Sequence, residues 1–104
     1  MTDSLSPRMK DFQKFTHQGR EFVFLVDQDC DGDCCKLWHT VVTPAGVPCF
    51  MDWSPYSNPT LADVLLWIDL GMPARTTGFP LDGADLRNLA TARAAATAPQ
   101  PSTI

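Results

Sequence analysis

From Arg20 to Val26 the chain reads Arg-Glu-Phe-Val-Phe-Leu-Val, with apolar side chains on both parities of the run. Aromatic and β-branched residues in such a stretch predict a strand that places apolar groups on both faces of a sheet. The preceding segment, KDFQKFTH, has the same character, and His17-Gln18-Gly19 supplies the turn between the two strands. Further on, Asp31-Gly32 separates the second strand from a third, KLWHTVV, and Asp-Gly is a strong signal for a two-residue type I′ turn. With those two residues as the turn, Cys30 faces Asp33, Asp29 faces Cys34, Asp27 faces Lys36 and Phe24 faces His39. The Asp27–Lys36 pair would then be a modestly favourable cross-strand contact. Thr43-Pro44-Ala45-Gly46 predicts another turn, and VPCFMDW a fourth strand.

Strand alternation sorts these residues into two sets. Phe22, Phe24, Val26, Leu37, Val41 and Met51 share one face, and Val23, Leu25, Trp38, Val42 and Phe50 share the other. Helices must cover one of them. SNPTLADVLLWIDLGMP predicts the first helix, with Pro59 in its opening turn, Thr60 and Asp63 as a capping box, and Gly71 followed by Pro73 as the stop. Leu61, Val64, Leu65 and Ile68 fall at helical spacing and predict its buried stripe, widened by Leu66, Trp67 and Leu70. LDGADLRNLATARAAA predicts a second helix from about Asp82, with Asp85 in its first turn and Leu86, Leu89 and Ala90 on its apolar side. The predicted fold is therefore α+β: an antiparallel three- to four-stranded β-meander followed by two α-helices packed on one face.

A chain of 104 residues has room for one modest core. The expected organisation is a flexible lead over residues 1–8, a single domain over 9–96 and a disordered tail over 97–104, where TAPQPSTI offers nothing to pack. No apolar run approaches the roughly 20 residues needed to span a bilayer, and the first residues lack the apolar core of a signal peptide. These features predict a cytoplasmic protein without a membrane partner.

Charge is unevenly spread. Residues 21–70 carry Lys36 alone against Glu21, Asp27, Asp29, Asp31, Asp33, Asp52, Asp63 and Asp69. Nucleic acid is recognised through clustered cations, which are missing here, so direct nucleic-acid binding is not expected. A basic protein partner, or a nucleic-acid-binding one, suits this balance better.

The stretch DQDCDGDCC concentrates the candidate chemistry. Asp27, Asp29, Asp31 and Gly32 match the first half of an EF-hand calcium loop, yet the position of the closing bidentate Glu is Trp38, and the preceding segment reads as a strand. Zinc would need about four converging ligands, for which Cys30, Cys34, Cys35 and His39 are the local candidates, with Cys49 on the next strand. No Cys-x-x-Cys pair is present, and Cys34 and Cys35 point to opposite faces. Cys35 and Cys49 read more simply as small apolar residues of the core or its margin. A Cys30–Cys34 disulfide would require a loop wider than two residues, and a reducing cytoplasm argues against it. No cofactor is therefore expected, zinc or calcium being the alternative. Catalysis finds no nucleophile elbow, phosphate loop or HExxH pattern, so His39 or a cysteine in a small enzyme is a further alternative.

DWSPYSNP sets Trp53 and Tyr56 between prolines in a short loop, where aromatics can anchor an interface. Trp53 has the competing role of sealing the core under the first helix. The predicted partner-binding set is Asp29, Asp31, Asp33, Trp53 and Tyr56, in a non-enzymatic acidic protein-binding module that is a monomer or homodimer. Helices on one sheet face only would leave an apolar patch on the other.

Residues 36–82 resemble a type of small protein encoded in phages and prophages. A Trp-His strand (Trp38-His39), a Thr-Pro-x-Gly turn (Thr43 to Gly46), Asp52-Trp53-Ser54-Pro55-Tyr56 and Trp67-x-x-Leu70-Gly71-x-Pro73 carry the resemblance, in that order. It implies a host cytoplasm and a role in binding host proteins, including those of defence systems. It implies no catalytic residue, and the cysteines at 30–35 lie outside its pattern.

Overall fold

In the computed structural model, which describes residues 7–97, four strands follow one another in chain order across a single antiparallel sheet. They are β1 (Gln13–His17), β2 (Arg20–Asp31), β3 (Cys34–Val42) and β4 (Pro48–Met51), followed by α1 (Leu61–Asp69) and α2 (Gly83–Thr97). This is the expected α+β architecture. The expected tail beyond Thr97, and residues 1–6 of the expected lead, lie outside the described residues.

The alternation of β2 and β3 decides which sheet face is filled. Phe22, Phe24, Val41 and Met51 are buried and join Phe15, Val64, Trp67 and Leu86 in one core. Removing these side chains from water supplies most of the drive to fold, at roughly 25 cal/mol per Å² of apolar surface. The opposite face keeps Trp38 and Phe50 exposed, at 43% and 55%, with their rings 6.2 Å apart. The two helices thus cover one face only, and the other presents the expected apolar patch.

The first hairpin turns at Gln18 and Gly19, whose φ values of 54° and 76° are the two positive angles of a type I′ turn. The second hairpin departs from expectation. Asp31 pairs with Cys34, Cys30 with Cys35, Asp29 with Lys36 and Phe24 with Val41, so the turn residues are Gly32 and Asp33 rather than Asp31 and Gly32. Gly32 has φ 66° and Asp33 is not among the positive-φ residues. That is the pattern of a type II′ turn, which needs its glycine first. His39 consequently faces Val26 across the ladder and Asp27 faces Trp38, while Lys36 takes Asp29 as its neighbour instead of Asp27.

Helix α1 is punctuated as its sequence requires. Thr60 is the N-cap, its hydroxyl accepts from the Asp63 N–H at 3.1 Å, and the Asp63 carboxylate accepts from the Thr60 N–H at 3.2 Å. Pro59 therefore precedes the cap instead of opening the helix. At the far end Gly71 (φ 86°) donates to the Ile68 carbonyl and Met72 to the Trp67 carbonyl, which together form a Schellman cap. Arg93 of α2 reaches the Leu70 carbonyl and places a cation at the negative end of α1. The most buried line of α1 is Val64, Trp67 and Leu70, while Leu61, Leu65, Leu66 and Ile68 are half-buried around it, so the stripe is centred on Trp67. Trp67 is fully buried and donates its indole N–H to the Pro73 carbonyl at 2.9 Å. Asp82 and Asp85 form a second reciprocal box at the start of α2, where Leu86 is buried.

A segment before β1 completes the core. Met9 is 1% exposed, its N–H donates to the Pro59 carbonyl at 2.8 Å, and Arg8 bridges Thr60 in antiparallel fashion.

Candidate functional site

The second hairpin outgrows the sheet that carries it. β1 pairs with β2 only up to Phe24, and β4 pairs with β3 only back to His39. Beyond those points β2 and β3 continue as a two-stranded ribbon in which every residue from Asp27 to Lys36 is exposed. Five residues of β2, Asp27 to Asp31, extend it by about 16 Å at the usual strand rise. A lone two-stranded hairpin is marginal in water, so the ribbon needs local support.

That support is covalent. Cys30 and Cys35 are bonded to each other, which corrects both the expected absence of a crosslink and the Cys30–Cys34 pairing considered for it. The reason lies in the register. The pair adjoining the two residues that flank a two-residue turn is a non-hydrogen-bonded pair, where the strands approach most closely, and here the Cα atoms are 3.9 Å apart. Cys35, expected in the core or at its margin, is exposed on the ribbon instead. Cys34 is a free and exposed thiol on the opposite face, and Cys49 is free and half-buried against the core.

Asp27, Asp29 and Asp31 stand at alternate positions of β2 and so project from one face, the same face that carries Trp38 and Phe50. Asp33 follows in the turn. Among the described residues none of these four carboxylates takes part in an ion pair, and Lys36 is the only cation on the ribbon. The ribbon is therefore a projecting, net-negative element with its charges free in solvent.

The metal-ligand candidates do not converge. Asp27, Asp29 and Asp31 share the open face with Cys34, which stands directly opposite Asp31, and Cys30 is tied up in the disulfide. His39 is on the buried face. Among the described residues no group of three or more His, Cys, Asp and Glu side chains is placed to hold a metal ion.

His39 has a structural setting. It is 1% exposed and stacks on Phe24 with ring centroids 5.9 Å apart. The Asn58 amide nitrogen donates to the Met9 carbonyl at 2.9 Å, which turns its Oδ1 toward His39 Nε2 at 3.0 Å. Nε2 therefore carries the proton toward Asn58. Burial lowers the His39 pKa from its ordinary value, against the raising effect of the Asn58 hydrogen bond and of the Ser57 backbone. A neutral, sealed imidazole of this kind ties β3 to the loop before α1 and to the segment around Met9. At 1% exposure it is closed to solvent in this structure.

The two aromatic candidates separate. Trp53 is 7% exposed, pairs with Leu81 and belongs to the core, so it offers no surface to a partner. Tyr56 is 70% exposed. Its loop lies beside the base of the ribbon, because the Leu37 N–H of β3 donates to the Pro55 carbonyl at 2.8 Å.

Two features had no signal in the sequence reading. Asn58, the hub that joins His39 to the N-terminal segment, lies in a serine-, asparagine- and proline-containing loop that reads as ordinary connection. The loop between the helices carries Phe79, 79% exposed, beside a cleft of about 240 Å³ that Arg75, Thr77 and Asn88 also line. Arg75 of this loop pairs with Asp52 at 3.1 Å. Among the described residues no helix is long and apolar enough to cross a membrane. No protein-family model, no curated protein and no solved structure matches the chain.

Proposed function

We propose that the protein is a non-enzymatic binding module whose acidic ribbon engages a protein partner through a basic surface, a nucleic-acid-binding protein being one class that carries such a surface. The observation that carries this reading is the projection of Asp27, Asp29, Asp31 and Asp33 on a ribbon whose residues from Asp27 to Lys36 are all exposed and contribute nothing to the core. Unpaired charges concentrated on a protruding element steer a partner of opposite charge and set the orientation of encounter. Tyr56, exposed on the loop beside the ribbon's base, adds contact area next to the ribbon. The resemblance of residues 36–82 to small phage and prophage proteins supports a setting in which the partner is a host protein, such as a component of a defence system.

The test is capture and reconstitution. A partner retained by the immobilised protein is purified, and its affinity is measured at low and high salt for the parent chain and for Asp29→Asn/Asp31→Asn/Asp33→Asn. The expected result is binding that weakens with salt and falls by ten-fold or more in the triple variant, which corresponds to about 1.4 kcal/mol or more. Equal affinity in the triple variant would sink the reading.

A further inference from the structure

β2 leaves one edge open along the ribbon. Residues that flank a two-residue turn exchange hydrogen bonds with each other, so Asp31, Asp29 and Asp27 direct their backbone groups toward β3. Gln28 and Cys30 direct theirs to the other side. That side belongs to β1 lower down, but β1 begins at Gln13 opposite Phe24, and Phe12 just before it turns away with φ 61°. The Asp11 carboxylate accepts the Val26 N–H at 2.8 Å and ends the ladder there. From Gln28 to the tip no described residue pairs with this edge.

We infer that this edge accepts an added antiparallel strand that carries Lys or Arg at alternate positions. The inference rests on the proposed protein-binding role and assigns the recognition mode. Backbone groups of Gln28 and Cys30 supply the hydrogen bonds, as in other strand additions to an exposed sheet edge. Asp27, Asp29 and Asp31 then stand at the non-hydrogen-bonded positions of the new pairing, where directly opposed side chains come closest. Their repeat of about 6.6 Å along β2 matches alternate residues of an extended segment. Cations at every second position therefore meet one carboxylate each. The same geometry disfavours a second copy of this chain on the edge, since an antiparallel pairing of two β2 edges sets aspartates against aspartates. Exposed edges also carry charges simply to prevent aggregation, and that alternative predicts no strand binding at all.

Two peptides of equal composition decide the matter, one with lysines alternating with threonines and one with the lysines contiguous. They are titrated into isotope-labelled oxidised protein, with the amide resonances followed by NMR. The alternating peptide is expected to bind about ten-fold tighter, as additional lysine–carboxylate pairs at directly opposed positions would provide, and to shift the Gln28 and Cys30 amides. N-methylation of those peptide amides that face β2 should abolish binding, and N-methylation of the others should leave it intact. Asp29→Asn/Asp31→Asn should lose the preference for the alternating peptide. Equal affinity for both peptides would overturn strand addition and leave the electrostatic reading standing. Binding of neither peptide would also overturn it, as would self-association centred on Gln28 and Cys30, and the partner measurement with the triple variant then judges the broader function separately.

Discussion

Two halves of one hairpin obey different rules. Near its base, β2 and β3 hold Phe22, Phe24, His39 and Val41 against the helices, and these four side chains are buried. Past Val26 the same hairpin carries four aspartates, two bonded cysteines and no buried residue before His39. The base is held by desolvation of apolar area, while the ribbon is held by its backbone ladder, its turn and one covalent bond. A fold that needs only the base has no thermodynamic use for the ribbon. Packing of the core therefore does not explain its length.

The largest effect should come from the base. Trp67→Ala removes a fully buried indole and its bond to the Pro73 carbonyl, and such truncations cost about 3–5 kcal/mol. Against a stability of about 5–15 kcal/mol for ordinary domains, that is a large fraction. Chemical denaturation should show a lower midpoint for the whole molecule, and a wild-type midpoint would mean that α1 is not integral to the core.

Acid should act next, and again on the base. The His39 pKa is lowered in the folded state from the 6.5 of an unperturbed side chain, so the unfolded chain binds the proton more readily. The stabilising contribution of the neutral ring is thus fully present above pH 6.5 and is lost as pH falls from there toward the lowered value. Thermal midpoints measured between pH 7.5 and 5 should fall with acid, beyond the decline seen in His39→Gln, whose amide can still donate to Asn58. Parallel profiles for the two proteins would show that His39 does not control this window.

The disulfide divides the two halves most directly. By loop-closure entropy a bond spanning so short a segment stabilises its closed form by roughly 2 kcal/mol. Reduction, or Cys30→Ser/Cys35→Ser, should speed amide exchange across residues 27–36 while the amides of Phe22, Phe24 and Val41 keep their protection. Loss of protection in both halves together would show that the ribbon supports the core.

Much of the base was legible in the sequence because each of its signals has one physical meaning. Thr60 with Asp63, Gly71 with Pro73, and the two parities of β2 and β3 each point to a single arrangement, and the structure holds all of them. The ribbon was less legible for an equally physical reason. Moving the turn from Asp31-Gly32 to Gly32-Asp33 offsets the partner strand by two residues, and an even offset leaves every side chain on its original face. Hydrophobic patterning is blind to that choice, yet the choice alone brings Cys30 opposite Cys35. Asn58 escaped notice because its role depends on two segments distant in sequence, those of Met9 and His39, meeting at its loop.

Neutralising the ribbon should have the smallest effect on stability and sharpens the contrast furthest. Asp29→Asn/Asp31→Asn/Asp33→Asn touches exposed side chains with no ion-pair partners, and changes of that kind usually lie within about 0.5 kcal/mol. Its sign is set by repulsion among carboxylates about 6.6 Å apart on one strand face. Removing that repulsion favours the folded ribbon, and the gain shrinks as salt screens the charges over about 10 Å at 0.1 M. Thermal midpoints at low and high ionic strength should therefore show the variant equal to or slightly above the parent at low salt, and indistinguishable at high salt. A variant less stable than the parent would mean that the aspartates are structural. With stability unchanged, any loss of partner binding in the same variant is a property of the ribbon's charge and not of the fold beneath it.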